Sequence, residues 1–265
     1  MFGMTKTTLV AGKDMPACTK FADTLAQAGR RVVACGDYED IKDESGTTER
    51  QQKLMDMASG VSTVQWNRGS PISARTLILN AESVFETLDE VVLYFDEELY
   101  ASRANQVDLQ ECSRGSNEMV LSYQYLTLEA LNRFKARKSE ENPGTLIYLL
   151  KEGPSAADAV RAPSLRNGAY SIASPVVAAA ATSFMAFAEN IAAIYGDLPY
   201  LNVLMIRGDK SMDTVANEAS LAKWLVYYTD SYFEQKTRKN IKTSLNWVRP
   251  GTKLQGNGFS IFGKR

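Results

Sequence analysis

The chain has 265 residues, 45% of them hydrophobic, which is long enough for one large α/β domain with a full core. Its 30 lysines and arginines balance 31 aspartates and glutamates, so no global field draws it to nucleic acid or to an anionic membrane. It contains no histidine, which excludes Ser-His-Asp and Cys-His catalysis and every histidine-bearing zinc site; its cysteines, Cys18, Cys35 and Cys112, have the spacing of neither a disulfide framework nor a thiolate metal site.

The N-terminus passes directly into a strand-like run without the basic, apolar and small-residue regions of a secretion signal, so a cytoplasmic location is expected. Thr7–Ala11 is apolar and β-branched and ends at Gly12. Cys18–Gly29 carries helical spacing through Phe21, Leu25 and Ala28, and Arg31–Gly36 is a second buried-type strand. Together they form a βαβ unit of the length that a parallel sheet requires. Asp37–Glu44 follows as an acidic run, read as a solvated surface loop. Thr48–Met57 is expected to be helical, Ser62–Trp66 a third strand, Ser73–Thr87 a helix and Glu90–Phe95 a fourth strand. Glu98–Gly115 reads as a loop with a short helix, and Asn117–Arg137 as a long helix. Pro143-Gly144 ends a charged turn before the strand Thr145–Leu150.

Ala169–Ile194 is the stretch around which the chain is organised. Pro175 suits a first helical turn, where its missing N–H would be unpaired anyway, and the alanine-rich segment behind it favours helix. Phe184, Phe187 and Ile191 share one face, and small residues on the others imply close neighbours, a second subunit among them. Thr182, Ser183, Glu189 and Asn190 interrupt the apolar run, so no membrane span of roughly 18 residues is expected. Tyr200–Ile206 is a further strand, Ser211–Glu234 mainly helix and Thr243–Val248 a last strand stopped by Pro250-Gly251. One domain over residues 1–251 and a glycine-rich, basic tail over 252–265 complete the layout.

This order of elements, with Tyr170 ahead of the alanine-rich helix, resembles the short-chain dehydrogenase/reductase family. The resemblance implies a Rossmann-like, doubly wound and mainly parallel α/β sheet with helices on both faces. It also implies NAD(P)-dependent transfer of a hydride to or from a carbonyl carbon, with tyrosine exchanging the proton. By position it assigns Tyr170 and Ser155 to catalysis and Gly12 and Asp37 to the cofactor, Asp37 toward an adenosine ribose.

The motifs depart from the family at each chemical step. The phosphate turn reads Ala11-Gly12-Lys13-Asp14-Met15-Pro16-Ala17-Cys18, so only Gly12 remains and Asp14 adds a like charge. Tyr94-Phe95-Asp96-Glu97 stands where the family has Asn-Asn-Ala-Gly, Met119 falls near the relay asparagine, and Ser174 holds the place of the lysine that lowers the tyrosine pKa. Lys13, Lys151 or Arg207 would have to supply that charge from elsewhere. The expectation is therefore a pseudoenzyme without a bound cofactor, acting as a homo-oligomeric scaffold or regulatory subunit through Asn117–Arg137 and Val176–Ile194, with a possible protein partner. An NAD(P)-dependent oxidoreductase with an unconventional cofactor loop is the alternative, and a non-catalytic dinucleotide or small-ligand sensor a third.

Overall fold

The computed structural model describes residues 5–36, 60–104, 107–239 and 245–252. Six strands, β1 (Thr7–Met15), β2 (Arg31–Gly36), β3 (Val61–Gln65), β4 (Glu90–Asp96), β5 (Gly144–Glu152) and β6 (Leu201–Asp209), form one sheet in the order β3-β2-β1-β4-β5-β6. Every pairing is parallel. The doubly wound architecture implied by the element order is thus the one observed. Helices cover both faces, so the central strands are buried on both sides and read as continuous apolar runs such as Val91-Val92-Leu93-Tyr94-Phe95.

One face packs α1 (Thr19–Gln27) and α9 (Glu218–Lys239), with Phe21, Leu25, Leu221 and Leu225 meeting Val10, Val92 and Ile147. The other packs α2 (Pro71–Phe85), α5 (Ser122–Arg137) and α7 (Pro175–Tyr195). Shorter helices α3 (Glu97–Arg103), α4 (Leu109–Gly115), α6 (Ala156–Arg161) and α8 (Asp213–Ala216) follow the carboxyl ends of strands or precede longer helices.

Helix α7 begins as its sequence dictates. The Ser174 hydroxyl accepts from the Val177 N–H at 3.4 Å, and Pro175 occupies the first turn. Val177, Ala180, Ala181, Phe184, Ala188 and Ile191 bury one face at helical spacing. Phe184 locks it to the sheet, its ring centroid 5.3 Å from Phe95, 5.1 Å from Tyr123 and 5.5 Å from Tyr148.

Three expectations are corrected. β1 does not stop at Gly12 but continues to Met15, with an irregularity between Val10 and Met15. The helix expected over Asn117–Arg137 starts at Leu109 and passes through a π-helical segment, Ser116–Leu121, where α4 meets α7: a Cβ on Gly115 would overlap Val176. The last strand reduces to a bridge, with Val248 N–H donating to the Met205 carbonyl at 2.8 Å and Arg207 N–H to the Val248 carbonyl at 3.0 Å. Pro250 then turns the chain away. Pro175–Tyr195 has the length and composition of a membrane span, a test that core helices of soluble proteins also meet, and here it packs Val177, Ala180, Phe184 and Ile191 into the core. The expected helix Thr48–Met57 and the tail beyond Thr252 lie outside the described residues.

Removing the Phe184 ring should cost about 3–5 kcal/mol, because it leaves a cavity among three rings that cannot close over it. Phe184→Ala is expected to lower the urea midpoint accordingly, with an unchanged slope.

Candidate functional site

Parallel α/β sheets present their ligand crevice beyond the carboxyl ends of the strands, and here those ends of β1, β4 and β5 carry charges. Lys13 on β1 lies 2.7 Å from Asp96 on β4 and 2.7 Å from Glu218, the first residue of α9. Lys151 on β5 reaches the same two carboxylates at 3.3 Å each. Two cations thus alternate with two anions in a square of no net charge, Lys13 and Asp96 buried and Lys151 and Glu218 partly so. Tyr94 donates its hydroxyl to Glu218 at 3.1 Å, and Asp96 also accepts from Leu99 N–H at 3.1 Å, capping α3.

Burial opposes the charge on Asp96, but Lys13 and Lys151 outweigh it and hold the carboxyl below its usual range. Burial likewise opposes the Lys13 ammonium, and Asp96 and Glu218 raise its pKa in spite of that. Each of the four side chains is paired with two of opposite charge.

Beside it, Arg68 comes in from the segment after β3. Its guanidinium donates to the Gly12 carbonyl at 2.7 Å, to Asp14 at 2.6 Å and to the Tyr100 hydroxyl, and lies over the rings of Trp66 and Tyr100. Tyr100 and Tyr123 share a hydrogen bond of 2.8 Å. Burial pushes both phenols up. Gly12 has φ +104°, and a Cβ there would overlap the Tyr123 hydroxyl and the Tyr94 carbonyl, so this glycine is required by close packing inside a strand. Phosphate contact is not its role in this conformation.

No side-chain hydrogen bond joins Tyr170 to Ser155, although the bridge between Ser155 and Ala173 brings their segments side by side. Ser155 is the N-cap of α6 and forms a capping box: its hydroxyl donates to Asp158 at 2.6 Å and accepts from Asp158 N–H at 3.1 Å. Tyr170 is half-buried in a bend five residues before α7 rather than within the helix. Met119 is buried in the π-helical segment. Asp37 lies outside the described residues.

Of the cations considered as substitutes for the lysine, Lys13 and Lys151 belong to the charge square, and Arg207 contacts the Met185 sulfur at 3.8 Å. Lys210, which sequence reasoning missed, does approach Tyr170. Its ammonium lies 5.4 Å from the ring centroid, over the face, while it binds Glu98 at 3.1 Å and the Ala169 carbonyl at 3.3 Å. No hydrogen bond joins it to the phenol. Among the described residues no group of three or more acidic or cysteine side chains is placed to hold a metal ion.

A dinucleotide needs free N–H groups at the start of α1 and room for its phosphates. Here Cys18 N–H donates to the Asp14 carbonyl and Thr19 N–H to the Pro16 carbonyl, both at 3.1 Å. The Asp14 carboxylate is buried beside them. The residues present therefore do not fit a pyrophosphate held in that manner. Cys18 is equally unsuited to nucleophilic work, since burial raises its thiol pKa to about 12.

No protein-family model matches the sequence, and no curated protein is significantly similar to it. The fold, however, matches solved structures. An NADH-dependent reductase, A1-R', complexed with NAD is 14% identical over 86% of this chain and 91% of that one, with TM-score 0.60. A short-chain dehydrogenase from Mycobacterium smegmatis is 17% identical over 95% of this chain and 93% of the other, with TM-score 0.55. An NADPH-dependent 3-quinuclidinone reductase from Rhodotorula rubra is 16% identical over 76% and 67%, with TM-score 0.50. The chain therefore has a short-chain-dehydrogenase-like fold.

Glu97, beside Asp96, is the described carboxyl shifted furthest toward neutrality. Burial raises its pKa to about 7, against the Gly153 N–H that it accepts at 2.9 Å. The folded pKa exceeds the unfolded one of 4.5, so the unfolded chain releases this proton first and stability falls as pH rises from 4.5 to about 7. Glu97→Gln keeps an acceptor for Gly153. It is expected to match the parent below that window and to exceed it by roughly 3 kcal/mol at about pH 8, measured by urea unfolding.

Proposed function

We propose that this chain is a short-chain-dehydrogenase-fold protein without the family's dinucleotide chemistry, acting through its surface as a homo-oligomeric scaffold or regulatory subunit. The observation that carries this reading is the charge square of Lys13, Asp96, Lys151 and Glu218. It commits the carboxyl ends of β1, β4 and β5 to internal ion pairs. Binding there would require charges to be unpaired in a buried setting, which costs several kcal/mol. The use of Ser155 as a helix cap, with no cation hydrogen-bonded to the Tyr170 phenol among the described residues, supports the same reading.

Two helices supply the surface. On α7, Ala179, Thr182, Ala186 and Ala193 are exposed at spacings of three, four and seven, and Ile194 beside them is 68% exposed. On α5, Leu128 is 48% exposed. Small side chains allow a partner helix to approach closely, and two copies related by a twofold axis would bury the same face on each.

The alternative, an NAD(P)-dependent oxidoreductase, is favoured by the neighbours described as NADH- and NADPH-dependent reductases. Thermal denaturation with NAD, NADH, NADP and NADPH at millimolar concentration separates the two. Ligand at about 100 times its dissociation constant would stabilise the fold by roughly 2.7 kcal/mol. No shift is expected with any of the four. A clear shift would instead favour the oxidoreductase or sensor readings, and nicotinamide turnover lost in Tyr170→Phe would establish the former.

Assembly is tested separately by sedimentation at micromolar concentration. The parent is expected to run as a dimer or larger, and Ala186→Glu, which places a charge in the apolar contact, as a monomer. A strictly monomeric parent would remove the scaffold reading.

A further inference from the structure

The chain between β5 and α7 leaves the body of the fold and returns to it. From Pro154 to Ile172 Ala159 alone is buried, and α6 packs there on a 3-10 turn, Pro163–Arg166. A parallel bridge between Ser155 and Ala173 closes the excursion at its neck, with Ala173 N–H donating to the Pro154 carbonyl at 2.8 Å and Ala156 N–H to the Ala173 carbonyl at 3.3 Å. At the far end Lys210 donates to the Ala169 carbonyl at 3.3 Å and lies over the Tyr170 ring. A segment with so little buried surface opens at a lower free energy than the sheet beside it.

The neck rests on an acid. Gly153 N–H donates to Glu97 Oε2 at 2.9 Å, and Gly153 lies so close to α3 that a Cβ on it would stand 3.3 Å from the Glu98 nitrogen and 3.4 Å from the Glu97 Cβ. Glu97 is 8% exposed. The charges that act on it most are carboxylates from three elements: Glu152 at the end of β5, Asp158 on α6 and Asp96, the N-cap of its own helix. The cations of the surrounding elements are committed elsewhere, Lys151 to Asp96 and Glu218, Arg161 to Asp158, and Lys210, just after β6, to Glu98. Helix α7, which packs on α3, carries no charged residue before Glu189.

An ionised Glu97 can regain water in two ways. Unfolding the chain would break the sheet, whereas parting the neck breaks the Gly153 hydrogen bond and the Ser155–Ala173 bridge and uncovers little apolar surface, so the second costs less. We propose that Pro154–Ile172 is a flap, closed at its neck when Glu97 is protonated and opened there when Glu97 ionises, so that the carboxyl ends of β4 and β5 are uncovered as pH rises toward neutrality. The closed neck holds the Glu97 pKa at about 7, and in the open form the hydrated carboxyl returns to its ordinary 4.5. Between those values the open population rises with pH, and outside them it is level. The inference is independent of the scaffold reading, because it uses no residue of α5 or α7.

The test is amide hydrogen exchange of the full chain, parent and Glu97→Gln, followed by NMR between about pH 4.5 and about pH 7.5 and expressed as protection relative to each amide's unstructured rate at the same pH. The reporters are the neck amides Gly153, Ala156 and Ala173, and amides within Val91–Leu93 and Leu146–Leu149 report global unfolding. Glutamine keeps an acceptor for Gly153 and does not titrate, and sheet protection equal to the parent's at the low end of the range shows that the variant is folded. In the parent, neck protection is expected to lie below that of the sheet at every pH and to fall on the order of a hundredfold across the range; in Glu97→Gln it is expected to stay level. The proposal is overturned if neck protection in the parent follows that of Glu97→Gln throughout. It is also overturned if neck and sheet amides are equally protected, because the neck would then open only with the whole chain.

Discussion

Two lysines and two carboxylates meet in one small, largely water-excluded volume, each paired with two of opposite charge. Taking a charge such as Lys13 or Asp96 out of water alone would cost several kcal/mol, and its two oppositely charged neighbours offset that. Because the four come from β1, β4, β5 and the start of α9, their mutual neutralisation fixes how those elements meet. The opposite end of the sheet repeats the device: Arg30 binds Glu90 at 3.0 Å and Asp230 at 2.8 Å, and Thr8 donates to Glu90 at 2.8 Å. The central strands are thus bounded at both ends by buried charge, with a wholly apolar stretch between.

That arrangement explains why the crevice end of the sheet looks as it does. In a dinucleotide site the strand ends must leave backbone N–H groups unpaired and space unfilled, so that phosphates supply the missing charge. Here the charge is internal. Arg68 occupies the Gly12 carbonyl and Asp14, Tyr123 fills the hollow above Gly12, and the N–H groups that begin α1 are used locally. The fold is retained while its crevice is rebuilt around side chains of the chain itself. The open volume lies to one side, toward α3 and α4.

Much of the fold was legible in the sequence because its determinants are local. Apolar runs such as Val32–Cys35 and Leu146–Leu150 mark strands buried on two faces, and Ser174-Pro175 marks a helix start by capping and fixed φ. The errors fall where a local rule meets a tertiary demand. Gly12 reads as a turn, but its freedom is used to let Tyr123 approach a continuing strand. Gly115 reads as the end of a loop, yet it lies inside a helical run where close contact with Val176 leaves no room for a side chain. Ser155 reads as a loop serine at the position the family resemblance gives to catalysis, and Asp158 three residues on makes it a cap. Its capping box, Ser-x-x-Asp, was the available signal.

The sequence by itself determined the order of strands and helices, the exclusion of histidine chemistry and the loss of the phosphate-binding glycines, since each is written in single residues or in periodicity. Only the tertiary structure decided which charges meet. Lys13 and Asp96 are 83 residues apart, Lys13 and Glu218 205, and Lys151 and Asp96 55. Nothing in a local pattern distinguishes these from surface charges. Their partnership arises when parallel crossovers bring distant strand ends to one edge of the sheet, where exclusion of water turns a weak surface attraction into a condition for folding.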